Sequence, residues 1–156
     1  MKHSIRLVVV LLFASAIVSG PVPALAAGQT YSASGTITVS SAGTTAGFAA
    51  GSKFSGDATL NDTALQNALA LGDVSIAADV DVRVESSISF SSNYGLTVTA
   101  LRHVRFSSGA DVAASGESDI AIVADSAELR SGIIYIDEAD LSTAGGSIVL
   151  DGNTFF

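Results

Sequence analysis

Apolar and polar residues alternate along most of the second half of the chain. Between Ser87 and Gly116, apolar side chains recur at every second position, separated by short groups of Ser, Asn and Gly. Because the side chains of a β-strand point alternately to its two faces, this period of two predicts short, half-buried strands. In one such run the alternation places Val80, Val82 and Val84 inward, and Asp79, Asp81, Arg83 and Glu85 outward.

Four segments of similar sequence recur along the chain, and each begins at a turn residue and continues with alternating aliphatic residues. They are GDVSIAA from Gly72, YGLTVTA from Tyr94, SDIAIVA from Ser118 and GSIVLDG from Gly146, at spacings of 22, 24 and 28 residues. Two shorter pairs repeat as well, VRV (82–84) with VRF (104–106) and ADV (110–112) with ADL (139–141). Periods of this length are typical of solenoids, in which each unit buries its apolar face by stacking on the next.

Strands this short also fit an antiparallel β-sandwich. Consecutive strands of a sandwich are often joined by tight hairpins, for which Asn-Gly and Asp-Gly are the usual signals. The one Asp-Gly pair, Asp151–Gly152, lies near the C-terminus, and the earlier connections lack such a signal. We therefore expect an all-β fold, a parallel β-helix (β-solenoid), with the sandwich as the alternative.

A single short helix is predicted between residues 61 and 72. Asp62 is the N-cap candidate, Leu65, Ala68 and Leu69 share one face, and Gly72 ends the helix. Residues 28–59 predict two or three short strands, for example 35–39 and 52–60. We therefore expect an N-terminal β cap with this helix (27–71), followed by the β-helix coils (72–156).

Residues 1–26 have the pattern of a secretory signal peptide. Lys2 and Arg6 form a basic start, an apolar run extends from Leu7 to Val18, and small residues end the segment at Ala26. The apolar run is too short to span a bilayer of about 30 Å as a helix, and an uncleaved anchor is the alternative. The sequence predicts export, with membrane contact only through this peptide.

The chain is acidic, with 7 Lys+Arg, 15 Asp+Glu and a net charge of −8; removal of Lys2 and Arg6 with the signal peptide leaves −10. Such a surface repels phosphate backbones, and the sequence contains no basic stripe, so we expect no nucleic-acid partner. Cysteine is absent, which excludes disulfides and thiol chemistry.

Carboxylates are the main candidates for chemistry. Residues two apart on a strand share a face, so Asp79 and Asp81 could present paired carboxylates, with Glu85 nearby. A second group is Asp137, Glu138 and Asp140. A glycosidase needs two carboxyl groups that flank a sugar. Surface calcium binding is a further hypothesis, although the Asp-x-Asp-x-Asp-Gly loop is missing. The alternative is solvated charge that protects strand edges from aggregation.

His103 is the only histidine after residue 26, and alternation with Val104 and Phe106 predicts that it faces solvent. One histidine without cysteine cannot build a typical zinc site, and no Gly-x-Ser-x-Gly nucleophile motif is present. We therefore expect no enzyme, no catalytic, cofactor-binding or metal-binding residue, and no cofactor.

The repeated units resemble those of the filamentous-haemagglutinin type of secreted bacterial adhesin, the passenger of two-partner secretion. The resemblance rests on a Leu-x-x-Ala-Leu helix (65–69), a Gly-Asp-Val-x-Ile strand (72–76), a Ser-Asn-x-x-Leu-Thr-Val segment (92–98) and ADLSTAGGSIVL (139–150). It covers about six-tenths of the chain, from Leu60 to Leu150. It implies a right-handed parallel β-helix on a bacterial cell surface or in the medium. The repeats of this chain predict about three coils.

The expected function is that of a non-enzymatic, exported structural or adhesive protein. Its partners would be glycans or proteins of host or bacterial surfaces, and the open end coil would allow self-association. The alternative is a β-helix protein that binds or cleaves polysaccharide with surface carboxylates, for which a carboxylate-lined groove would be the discriminating feature.

Overall fold

The computed structural model describes residues 28–43, 50–51, 53–125 and 132–155. The predicted signal peptide and Phe156 lie outside the described residues. The described part contains fifteen short strands and one helix. These are β1 (Gln29–Ala33), β2 (Ile37–Ser40), β3 (Lys53–Phe54), β4 (Ala58–Asn61), α1 (Asp62–Leu69), β5 (Val74–Ala78), β6 (Val82–Val84), β7 (Ile88–Phe90), β8 (Leu96–Ala100), β9 (Val104–Phe106), β10 (Val112–Ala114), β11 (Ile120–Ala124), β12 (Ile133–Ile136), β13 (Leu141–Thr143), β14 (Ile148–Asp151) and β15 (Asn153–Phe155).

The strands form three parallel sheets. Sheet A has the order β14-β11-β8-β5-β1-β3, sheet B has β15-β12-β9-β6-β2-β4, and sheet C has β13-β10-β7. Every strand pair is parallel. The expected all-β parallel architecture is confirmed, and the arrangement is consistent with a β-solenoid rather than an antiparallel sandwich.

The sequence repeats correspond to stacked strands. The four related segments contain β5, β8, β11 and β14, which are successive neighbours in sheet A. VRV and VRF are the paired strands β6 and β9, and ADV and ADL lead into the paired strands β10 and β13. Similar sequences lie side by side because each repeat faces the same inward and outward environment as its neighbour.

Stacking aligns inward side chains into columns that form one core. Val74, Leu96 and Ile120 occupy one column of sheet A, and each is at most 2% exposed. Small residues are needed where the corners between sheets stack closely: a Cβ at Gly116 would overlap the carbonyl oxygen of Ser92. The core is therefore continuous through the layers.

At the N-terminal end, the order of the strands in the sheets differs from their order along the chain. β1 and β2 lie inside the stack, β3 and β4 lie outside them, and β5 then returns to the inner side of β1. The strand predicted at 52–60 is divided into β3 and β4 by a corner that contains Gly56, whose φ is +100°. The predicted N-terminal β strands thus form the last two layers at one end of the stack, beyond β5 and β6.

Helix α1 is present as predicted, but its N-cap is Asn61 rather than Asp62. The Asn61 side chain accepts the backbone N–H of Ala64 at 3.1 Å, the interaction expected of an N-cap. Leu65, Ala68 and Leu69 form the buried face, as the sequence predicts. Both Asn and Asp are good N-cap residues, so the sequence alone does not fix this boundary.

Candidate binding face

Aspartates that immediately precede a strand form a recurring corner in this fold. Each accepts a backbone N–H from the residue that precedes the neighbouring strand of the adjacent layer. The pairs are Asp57 with Thr36, Asp73 with Gly95, Asp81 with His103, Asp111 with Asp140, and Asp119 with Ser147, at 2.7–3.2 Å. Many of the acidic residues therefore join layers.

Asp119 illustrates the electrostatic consequence of this corner. The backbone N–H and the hydroxyl of Ser147 both donate to its Oδ1, each at 2.8 Å. Because these hydrogen bonds favour the ionised carboxylate, they lower the pKa of Asp119 from its usual value. The charge of Asp119 thus contributes to holding β14 on β11.

The prediction that Asp79 and Asp81 are paired outward carboxylates is wrong for Asp81. Asp81 is only 9% exposed, and it pairs with Arg102 at 3.0 Å. Asp79 is exposed and forms an ion pair with Lys53. These residues lie at the bend between β5 and β6, where strand alternation does not apply; Val80 is accordingly only half-buried. Arg83 and Glu85 do lie outward.

The second acidic group does not converge on a point either. Asp137 lies 3.7 Å from Arg105, and Glu138 accepts the hydroxyl of Ser108 at 3.1 Å. Asp140 donates its backbone N–H to Asp111. Within the described ranges, no group of three or more His, Asp or Glu side chains could hold a metal ion.

His103 is half-buried rather than fully solvated. Its Nδ1 accepts the backbone N–H of Ile133 at 3.2 Å, and its ring lies edge-on to Tyr135 with centroids 6.2 Å apart. Because Nδ1 accepts a hydrogen bond, the neutral ring carries its proton on Nε2. His103 thus links the layers of β9 and β12 and leaves one ring N–H to donate.

The outer face of sheet B carries a line of polar and aromatic side chains. Thr38, Arg83, Arg105 and Tyr135 occupy paired positions on the successive strands β2, β6, β9 and β12. Arg83, Arg105 and Tyr135 are exposed. With Arg102 at the adjacent corner, this face holds three of the five Lys and Arg residues that follow residue 26.

These residues surround a groove of about 290 Å³, lined by Asp81, Arg83, Glu85, His103, Arg105 and Tyr135 among others. We call this groove the sheet-B groove. It combines guanidinium donors, carboxylate acceptors, an imidazole and an aromatic ring, a set that suits a polar ligand with ring faces. The groove could not be predicted from the sequence, because Arg83, Arg105 and Tyr135 are 22 and 30 positions apart and only the register of sheet B brings them together.

Comparisons of the chain with protein-family models, with curated proteins and with solved structures found no match. In the described part of the chain, no helix combines the length and the apolarity needed to cross a membrane.

Proposed function

We propose that this protein is a non-enzymatic, exported structural or adhesive β-helix that contacts a cell surface or matrix. Its coils would be right-handed, as the resemblance to filamentous-haemagglutinin-type adhesins implies, and about three in number, as the sequence repeats predict. Contact would be passive, through side chains held on a rigid stack of strands. No covalent step is required of any residue in this proposal.

The observation that carries this proposal is the sheet-B groove. It places Arg83 and Arg105, two of the five Lys and Arg residues that follow residue 26, side by side on one face of an acidic chain, beside an aromatic ring. Aromatic and Arg side chains are enriched at protein contact sites, and aromatic faces are common in sugar recognition. The groove therefore supports a binding function at this face.

The alternative function is polysaccharide binding or cleavage by surface carboxylates. Cleavage through Asp79 and Asp81 gains no support from the geometry, since each carboxylate already contacts a cation and Asp81 is buried. Binding of a polysaccharide gains support from Tyr135 and the two neighbouring arginines. We therefore favour a glycan among the surface partners.

A cell-binding experiment tests the proposed function. The chain from residue 27 onward is labelled and incubated with bacterial cells, host cells and extracellular matrix, and bound protein is measured by fluorescence. We expect saturable binding that Arg105→Gln weakens and that Lys53→Gln leaves unchanged. Both variants remove one exposed cation, but Lys53 lies in sheet A, away from the groove.

Absence of saturable binding to any of these surfaces would contradict the proposal. Equal weakening by Lys53→Gln would show that overall charge, rather than the sheet-B groove, determines the contact. Far-ultraviolet circular dichroism of each variant establishes that the fold is retained.

A further inference from the structure

Arg83 and Arg105 form an unusual pair of neighbours on the outer face of sheet B. They occupy directly paired positions on β6 and β9, so their stems are separated by one strand spacing, about 4.8 Å. Like charges in such neighbouring positions repel each other and destabilise the fold. An Arg paired with an Asp or Glu at these two positions would avoid this repulsion. We therefore attribute the two neighbouring arginines to ligand binding rather than to the stability of the fold.

The two guanidinium groups also have free donor capacity. Among the described residues, Arg83 has no ion pair, and Arg105 has only Asp137 at 3.7 Å, beyond hydrogen-bond distance. Arg102, in contrast, is joined to the buried Asp81 at 3.0 Å. Each guanidinium offers five N–H donors in a planar fork that matches the geometry of a carboxylate. Arg83 and Arg105 are therefore available to an external anion.

The next position in the same line is aromatic. Tyr135 pairs with Arg105 on β12 and is 40% exposed, and His103 stands edge-on beside it. Aromatic faces stack well on the apolar faces of sugar rings, and the Nε2–H of His103 is oriented by the hydrogen bond that Nδ1 accepts. The line thus presents a cation on β6, a cation on β9 and an aromatic ring on β12, each one strand spacing from the next.

We propose that the sheet-B groove binds a uronate-bearing polysaccharide, with the sugar chain running across the strands along the stack. A linked pyranose advances such a chain by a distance similar to the spacing of adjacent strands. One sugar would then lie over each strand, with carboxylates held bidentately by Arg83 and Arg105 and a ring face on Tyr135. This inference rests on the proposed function, because it names the ligand class of the same face.

The acidic character of the chain does not prevent this binding. Asp81 is paired with Arg102, and Asp73, Asp111 and Asp119 lie at the corners before sheets A and C. At physiological ionic strength, exposed charges more than about 8 Å apart are largely screened from each other. Glu85 remains in the groove as an acceptor for sugar hydroxyls. Asp137, 3.7 Å from Arg105, is the carboxylate that a bound uronate would have to replace, and the ionic contact it makes is exposed and therefore weak.

Titration calorimetry with an oligogalacturonate tests the proposal at physiological salt. The comparison ligand is the same oligomer after chemical reduction of its carboxyl groups. We expect the protein to bind the acidic oligomer at least about tenfold more tightly than the reduced one, which corresponds to loss of one charge-assisted hydrogen-bonded contact. Arg105→Gln and Arg83→Gln should each weaken binding about tenfold, and Lys53→Gln less than about twofold.

Tyr135→Ala should weaken binding of both oligomers, because stacking does not depend on the carboxylate; Tyr135→Phe should retain binding.

Equal affinity for the two oligomers, or no loss in either arginine variant relative to Lys53→Gln, would overturn the proposal. Tighter binding of poly-glutamate than of oligogalacturonate would also overturn it, because the partner would then be an acidic protein. Cell binding that depends on Arg105, without any affinity for oligogalacturonate, would reject the ligand class and retain the proposed function.

Discussion

The two ends of the strand stack differ in how they finish the core. At the N-terminal end, α1 packs against β4 and against β7, the edge strand of sheet C, and Gln66 Oε1 accepts the backbone N–H of Ser89 at 3.2 Å. Leu60, Leu65 and Leu69 there are 0% exposed. At the C-terminal end, β13 and β14 border a cavity of about 300 Å³. One end is closed by a helix, whereas the other presents apolar side chains.

A single column of sheet A shows what this difference means. Val74, Leu96 and Ile120 are 1–2% exposed, but Ile148, the next residue of the same column, is 38% exposed. The four residues have the same strand position and similar apolar character. A residue in a stacked fold is therefore buried by the layers on both sides of it, and its own sequence environment decides little.

The largest expected effect is on the free energy of unfolding, when residues of this column are shortened to Ala. Ile120→Ala removes a side chain enclosed by β8 and β14, and we expect it to lower the free energy of unfolding by about 2–5 kcal/mol. Ile148→Ala removes the same atoms at the open end, and we expect a loss of about 1 kcal/mol or less. Urea unfolding followed by circular dichroism measures both losses.

The pair of variants is its own control, because the chemical change is identical. Equal losses at Ile120 and Ile148 would contradict the comparison, since they would mean that the open end is as well packed as the interior. A variant at Val149, whose side chain is outward and 52% exposed, gives the baseline for a surface change on the same strand.

A smaller effect concerns association of two copies, which we propose for the open end. β14 and β15 end sheets A and B at one end of the stack, and β3 and β4 end the same sheets at the other. A second copy could therefore continue both sheets in a parallel, head-to-tail sense, and would cover Ile148. We expect weak, concentration-dependent self-association in sedimentation velocity.

Ile148→Lys should abolish this self-association, because a charge would then lie in the contact. Val149→Lys places the same charge on the outer face and serves as the matched control. A protein that remains monomeric up to the highest soluble concentration would show that the open end is tolerated without a partner. Association that survives Ile148→Lys would place the contact on another surface.

The architecture could be predicted because the repeats carry their own register. Four segments have similar sequences because their strands lie side by side in sheet A: GDVSIAA, YGLTVTA, SDIAIVA and GSIVLDG. Similarity in sequence therefore predicted which strands are neighbours. The position of β3 and β4 outside β1 and β2 could not be predicted in this way. Those strands have two to five residues and no shared motif, so their order depends on α1 and on contacts between distant residues.

The candidate chemistry was less predictable than the fold. Alternation placed Arg83 outward correctly but failed at Asp81, because Asp81 lies at a corner where the backbone changes direction. The partnership of Arg83, Arg105 and Tyr135 needed the exact register of β6, β9 and β12. Period two assigns a residue to a face, but only the pairing of strands places it beside a particular neighbour.

The smallest expected effect concerns the bond between the last layer of sheet A and the rest of the stack. Asp119 accepts two hydrogen bonds from Ser147, which lower the pKa of its carboxyl from 3.8. A carboxyl group whose pKa is lower in the folded state stabilises the fold fully above its unfolded pKa. That stabilisation is lost as the pH falls below 3.8 and through the lower folded pKa.

Asp119→Asn should therefore be less stable than the wild type at neutral pH, and the two proteins should converge in acid. The urea midpoints of both, measured between about pH 6 and pH 2.5, give the comparison. Asp137→Asn is the control, because it removes a carboxylate that, among the described residues, accepts no backbone N–H. A deficit of Asp119→Asn that stays constant down to the lowest pH would mean that corner geometry, rather than the carboxylate charge, holds β14. Convergence would instead show that even the layer beside the open end is secured by a charged corner.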